Sequence, residues 1–291
     1  MKAFIVVLAL ASAAHADPAP APIPATVPGP IGCYAAAKPL TSYPPLLCAG
    51  AATTAPAACF TAAKALSTNY PALLCSGAES DAPVDCWKAA NKLTNFPALL
   101  CARAKSQGPI TCFASAKNVT NYPALLCSGA ESTAPLFCFN GAKNLTNYPA
   151  MLCAGAETTA PIDCFKAAKG LTDYPALLCA GAKSNAPVDC FKAAKPLTQF
   201  PALVCSGAVD NSPIDCLNAS NGVTDNPALL CSPNGAFKLI TRHDIHSSWN
   251  LPYPMRFPHP YPLHYPFPDN RDPSQAPPPN QPNPATLFNG H

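Results

Sequence analysis

Cys164-Phe-Lys-Ala-Ala-Lys-Gly-Leu-Thr-Asp-Tyr-Pro-Ala-Leu-Leu-Cys179 is followed by Ala180-Gly-Ala-Lys-Ser-Asn-Ala-Pro-Val-Asp189, and at Cys190 the pattern starts again. From Cys33 to Cys231 the cysteine gaps alternate between 15 and 11 residues, with a single gap of 16 between Cys59 and Cys75. The 16 cysteines therefore mark eight copies of a unit of about 26 residues. Self-similarity at a period of 20 to 50 residues predicts a stacked array in place of one conventional core. The period is too short for tetratricopeptide or ankyrin repeats, and their signature residues are absent.

Each copy reads as two helices. The first half is rich in Ala and Lys, and Cys190, Ala194 and Leu197 recur at i, i+4 and i+7 along one apolar face. Pro187 falls in the first turn, where its missing N–H costs nothing. Two residues before the corresponding prolines stand Thr54, Asp81, Thr133, Thr159, Asn185 and Asn211, which are expected N-caps. Gly170, Gly222, Asn118 and Asn144 are expected to stop the helix in the left-handed conformation, and Pro39 and Pro196 to stop it by clash. The second half is expected to start at a Thr172-type cap, with Pro175 in its first turn. It ends at glycines 50, 77, 129, 155, 181 and 207, a position taken by Arg103 in copy three and Pro233 in copy eight. Helices of two to three turns are expected, marginal alone and dependent on packing. Strands fit less well, because alternation is missing and Ala is a poor strand former.

Pairing across the 15-residue gap uses every cysteine within its own copy: Cys33–Cys48, Cys59–Cys75, Cys86–Cys101, Cys112–Cys127, Cys138–Cys153, Cys164–Cys179, Cys190–Cys205 and Cys216–Cys231. Pairing across the 11-residue gap strands Cys33 and Cys231 at opposite ends. In an antiparallel hairpin the start of the first helix neighbours the end of the second, which favours the first scheme. The expected fold is thus all-α, a solenoid of eight short disulfide-stapled helical hairpins. The residue after each first cysteine (Tyr34, Phe60, Trp87, Phe113, Phe139, Phe165, Phe191) and the Leu-Leu pairs should fill the space between copies. Copy eight has Leu217 and Asn226 where the others carry aromatics, as a polar end cap would.

The flanks differ in kind. Lys2, the apolar run Ala3–Ala13 and Ala14-His15-Ala16 form a secretory signal peptide over residues 1–16. Residues 17–32 read as a Pro/Ala-rich linker, residues 33–231 as the repeats, and residues 232–291 as a disordered tail rich in Pro, Tyr and His. Cysteines at fixed spacing behind a signal peptide imply disulfides formed in an oxidising compartment. The protein is expected to be secreted and extracellular, or periplasmic or at the cell surface in a bacterium, with no membrane span after cleavage.

No catalytic constellation stands out. There is no C-x2–4-C pair for zinc, and His243 and His246 lack further ligands nearby. Nothing resembles a nucleophile elbow. No enzyme activity, metal or cofactor is expected, and a net charge of +3 is too small to point to nucleic acid. Lys38, Lys64, Lys117, Lys143, Lys169 and Lys195 share one repeat position and would form a stripe able to bind an anionic polymer, with Lys166 and Lys192 as a second row. Asp85, Asp163, Asp189 and Asp215 form a ladder that could compensate it. Asn118, Asn144 and Asn218 begin N-glycosylation sequons. The expected function is a non-enzymatic extracellular scaffold that binds a polysaccharide or protein of a surface or matrix. The alternative is a thiol- or metal-handling protein that uses the cysteine ladder.

Overall fold

The computed structural model describes residues 29–234 except 67 and 69. The expected signal peptide, residues 17–28 of the expected linker and residues 235–291 of the expected tail, His243 and His246 among them, lie outside the described residues.

Among the described residues sixteen helices form eight hairpins. The first helices are α1 (Pro30–Ala37), α3 (Ala55–Ala63), α5 (Ala82–Ala90), α7 (Gly108–Ala116), α9 (Ala134–Ala142), α11 (Ala160–Ala168), α13 (Ala186–Ala194) and α15 (Ser212–Ala219). The second helices are α2 (Pro44–Leu47), α4 (Pro71–Leu74), α6 (Pro97–Cys101), α8 (Pro123–Leu126), α10 (Pro149–Leu152), α12 (Pro175–Leu178), α14 (Pro201–Val204) and α16 (Pro227–Leu230). A disulfide closes every hairpin, from Cys33–Cys48 through Cys216–Cys231, with Cα–Cα distances of 5.5 or 5.6 Å. Helix α1 begins at Pro30, so the last residues of the expected linker are already part of the first hairpin.

The second helices are single turns, shorter than the two to three turns expected. One turn is tolerated because the disulfide and the neighbouring copy hold it, which propensity alone could not do. Capping also differs in detail. Thr54, Asp81, Thr133, Thr159, Asn185 and Asn211 do occupy the N-cap position, yet their side chains make no capping bond. The residue just before them does the work. Thr53, Ser132 and Ser184 accept the N–H two residues on at 3.1 Å, and Asp210 does so at 2.8 Å. Thr172 likewise does not cap α12 but accepts the N–H of Tyr174 at 3.2 Å, one residue outside the helix. These local turns use up the side-chain oxygen before the helix starts.

Among the described residues, Gly170 and Gly222 take positive φ, whereas Asn118 and Asn144 do not. In most copies the first helix runs on into a right-handed turn: the N–H groups of Leu197 and Thr198 both reach the Ala194 carbonyl, at 2.9 and 3.2 Å. Asn is therefore not needed there as a left-handed stop. This early end also turns Leu197 outward, 51 % exposed, against its expected place on the buried face.

Packing repeats from copy to copy. Both cysteines (Cys216 only partly), the leucine before the second cysteine (valine at 204) and the alanine four residues after the first cysteine are buried. In copy eight Ser220 takes the alanine position and donates its hydroxyl to the Leu217 carbonyl at 3.0 Å. Each fully buried leucine contributes about 2–3 kcal/mol. First helices pack on first helices and second helices on second helices along the series, and then α15 packs on α1 and α16 on α2. The array closes on itself as a ring. Copy eight is consequently not an end cap: it has a neighbour on each side.

The glycine after the second helix makes the closure regular. Its left-handed conformation turns its N–H onto the last-turn carbonyl of the preceding copy, a group otherwise without an intrahelical partner. Gly77 donates to Leu47 at 3.0 Å, Gly155 to Leu126 at 3.1 Å and Gly207 to Leu178 at 3.2 Å; Gly50 donates to Leu230 at 3.2 Å across the junction of copies eight and one. Backbones so joined lie closer together than two helices can, since helix axes pack about 8–10 Å apart.

Candidate functional site

Two ends of the hairpins concentrate the chemistry. At the loop end, where one copy runs into the next, the glycines converge on the ring axis. Arg103 stands where other copies have glycine and, among the described residues, is the one non-glycine with positive φ, at 62°. Its side chain crosses the axis. Nη1 donates to Oδ1 of Asn234 at 2.6 Å, Nη2 reaches the Ala49 carbonyl at 3.5 Å, and Asn234 Nδ2 donates to the Ala180 carbonyl at 3.1 Å. Copies one, three, six and eight are linked through one hydrogen-bonded chain. Burial pulls the Arg103 guanidinium down to about 10, against the opposing charge of Glu79.

The glycines leave room for this plug. A Cβ on Gly77 would lie 2.6 Å from Arg103 Nη2, one on Gly50 would lie 2.7 Å from the Cα of Pro233, and one on Gly207 would collide with Asn234 Nδ2. Around the plug, Lys105 pairs with Glu79 at 3.2 Å and Glu131 at 3.8 Å, and Lys183 with Glu157 at 2.8 Å. The hydrogen bond that Lys105 donates to Glu79, and the charges of Glu79, Glu131 and Glu157, raise its ammonium above its ordinary range. Sequence reasoning marked Arg103 and Pro233 only as breaks in the repeat. That the breaks in copies three and eight meet on the axis is visible only in three dimensions.

At the tip end sits the turn between the two helices of each hairpin. Lys38, Lys64, Lys117, Lys143, Lys169 and Lys195 all lie here, just past the end of a first helix, and all are exposed. A cation at a helix C-terminus is favoured by the helix dipole. Among the described residues none of the six lies within ion-pair distance of a carboxylate, and Lys64 Nζ instead donates to the Leu40 carbonyl at 3.1 Å while lying 5.0 Å from the Phe60 ring centre. The aspartate ladder faces the other row: Lys88 pairs with Asp85 at 3.0 Å, Lys166 with Asp163 at 3.6 Å and Lys192 with Asp189 at 3.5 Å. The expected compensation of the stripe by these aspartates is thus not seen: i,i+3 partners on the same helix hold Asp85, Asp163 and Asp189, and among the described residues Asp215 lies within ion-pair distance of no lysine.

Charge is segregated between the two ends. Seven lysines at the tips (the six above and Lys92) face only Asp173 and Asp225, a net of +5; at the loop end Arg103, Lys105 and Lys183 stand against Glu79, Asp81, Glu131, Glu157 and Asp210, a net of −2. The tips also carry most of the exposed large apolar side chains. Leu93, Val119, Leu145, Leu171 and Leu197 lie beside Phe96, Tyr122 and Tyr174, with Tyr122 57 % exposed. Asn118, Asn144 and Asn218 are exposed as well, the first two on the tips of copies four and five.

All 16 cysteines are in disulfides and none is free. Among the described residues no three of His, Cys, Asp and Glu come together as a metal site would require, and no helix is long and apolar enough to cross a membrane. Comparison with known protein families, curated proteins and solved structures finds no match to this chain.

Proposed function

We propose that this protein is a secreted, non-enzymatic scaffold whose ligand surface is the circle of hairpin tips, engaging a polysaccharide or protein of an extracellular surface or matrix. The observation that carries this reading is the tip lysines: they are exposed and free of carboxylate partners, while the lysines elsewhere on the repeats are engaged in ion pairs. Eight intra-copy disulfides suit an oxidising compartment and support secretion. A rigid stapled ring that repeats one motif eight times favours multivalent contact, in which weak single-tip affinities multiply. The thiol- or metal-handling alternative gains nothing from cysteines that are all paired and buried or nearly so.

The test compares two sets of exposed substitutions in the full secreted protein. Lys117→Gln, Lys143→Gln, Lys169→Gln and Lys195→Gln together should abolish retention on extracellular surface and matrix extracts. Lys183→Gln with Glu157→Gln at the loop end should leave it unchanged. Equal retention by both sets would overturn the assignment of the tips as the binding surface.

A further inference from the structure

We infer that the ligand of the tips is an extended acidic polysaccharide lying along several neighbouring tips. The inference rests on the tips being the binding surface and names the chemistry they select.

Three features of the tips point to it. The first is spacing. The tips stand on neighbouring copies whose helices pack side by side, and packed helix axes lie about 8–10 Å apart. A ligand that satisfies successive tip lysines needs its negative charges repeated on that scale along a linear chain. Acidic polysaccharides, with a carboxylate or sulfate on each sugar or disaccharide, have this property. A nucleic acid strand carries a charge about every 3.4 Å and reads best against clustered arginines; the tips have no arginine.

The second is the pairing of charge with a flat apolar face. Copy three offers Lys92 and Phe96, copy four Lys117 and Tyr122, and copy six Lys169 and Tyr174, with Phe96 47 %, Tyr122 57 % and Tyr174 38 % exposed. The apolar face of a sugar ring can stack on such an aromatic ring while its acidic substituent meets the lysine. An acidic polypeptide would use the charge and leave the rings unoccupied.

The third is hydrogen bonding. Asn95, Asn121 and Asn147 stand exposed one residue before the aromatic, adding an amide donor and acceptor for hydroxyl groups. Charge, exposed stacking face and amide occur together at the tips of copies three and four, while copy five keeps the lysine and the amide and copy six the lysine and the ring, with Asp173 in place of the amide. The loop end, net −2 and already internally paired, offers no such set.

The experiment uses the full secreted protein against immobilised polygalacturonate, chondroitin sulfate, neutral dextran, poly-glutamate and single-stranded DNA. Binding is expected to the first two, at least tenfold tighter than to the other three. It should weaken as salt screens exposed charges beyond about 8 Å. Oligosaccharides long enough to span several tips should bind at least tenfold more tightly than those spanning one. Tyr122→Ala with Tyr174→Ala should cost a few-fold at any salt, and the four-lysine variant should lose tenfold or more. Equal affinity for poly-glutamate would show charge attraction alone and sink the polysaccharide assignment. Tip-dependent capture of a protein without any polysaccharide binding would sink it too, while leaving the tips as the binding surface. Polysaccharide binding unaffected by the tip lysines would remove both readings.

Discussion

The loop ends and tip ends are built from the same eight copies, yet only at the loop ends do the breaks in the repeat bond to one another. At the tips seven of the eight turns carry a lysine, all of them exposed. The space on the axis is taken by the Arg103 and Asn234 side chains. Eight arginines at the position of Arg103 would occupy the same space, so seven copies carry glycine or proline there and one supplies the plug. A closed ring of near-identical units must depart from its symmetry at its centre. Arg103 and the residues that follow Cys231 are that departure.

The largest test of closure is the removal of a disulfide. Substituting both cysteines of a copy by serine should cost about 3 kcal/mol for a closed loop of this length. In a ring the cost should be similar for Cys112 with Cys127 and for Cys216 with Cys231, because each copy has two neighbours. Urea unfolding without reductant measures it, and hydrogen exchange locates it: loss of copy eight should also expose copy one. Exposure confined to copy eight would mean an open array with a free end.

The next effect concerns the plug. Arg103→Ala and Asn234→Ala should each destabilise by about 1.5–3 kcal/mol, the range for a hydrogen bond to a charged group. In a double-mutant cycle they should couple strongly, since they share one bond of 2.6 Å. Independent effects that simply add would show that the guanidinium and the amide do not meet in solution.

Two glycines sharpen the same contrast. Gly207 and Gly222 both have positive φ, at 68° and 75°. A Cβ at Gly222 meets nothing within 4 Å, so Gly222→Ala should cost only the left-handed penalty of about 1–2 kcal/mol. Gly207→Ala adds the collision with Asn234 and should cost clearly more. Equal costs would argue that the axis yields easily.

The smallest effect is the pH dependence of the loop-end charges. Lys105 is raised by its hydrogen bond to Glu79, so its contribution is fully present below its ordinary value of 10.5 and fades as pH rises through the raised folded value. Asp210 is lowered by the hydroxyl and N–H of Ser212, so its contribution is present above 3.8 and fades as pH falls through the lowered folded value. Both groups are exposed, and the changes in Tm should be slight. Lys105→Met and Asp210→Ala should flatten the alkaline and acid slopes respectively.

The repeat was legible because each element carries a local reason. Prolines such as Pro187 can stand only in a first turn, glycines such as Gly207 mark left-handed ends, and the alternating cysteine gaps favoured one pairing by hairpin geometry. The tip lysines were legible for the same cause, being fixed by their place in the copy. What misled was detail that depends on where a turn stops. Leu197 continues a helical period but lies beyond the last helical residue, Ala194, and so faces out. The aspartate ladder looked able to neutralise the stripe until the fold showed Lys166 and Lys192 taking its charges first.

The amino-acid sequence by itself determined the unit: two helices, one staple, eight times over, behind an expected export signal. It did so because caps, stops and cysteine spacing act over a few residues and read the same in every copy. Only the tertiary structure decided that the array closes. Closure depends on a small rotation between neighbouring copies, set by how Ala, Leu and Gly backbones approach each other, and after eight copies these rotations complete a turn. Whether they do is a sum over all the interfaces, so no single copy contains it, and the meeting of Arg103 with Asn234 exists only once that sum is complete.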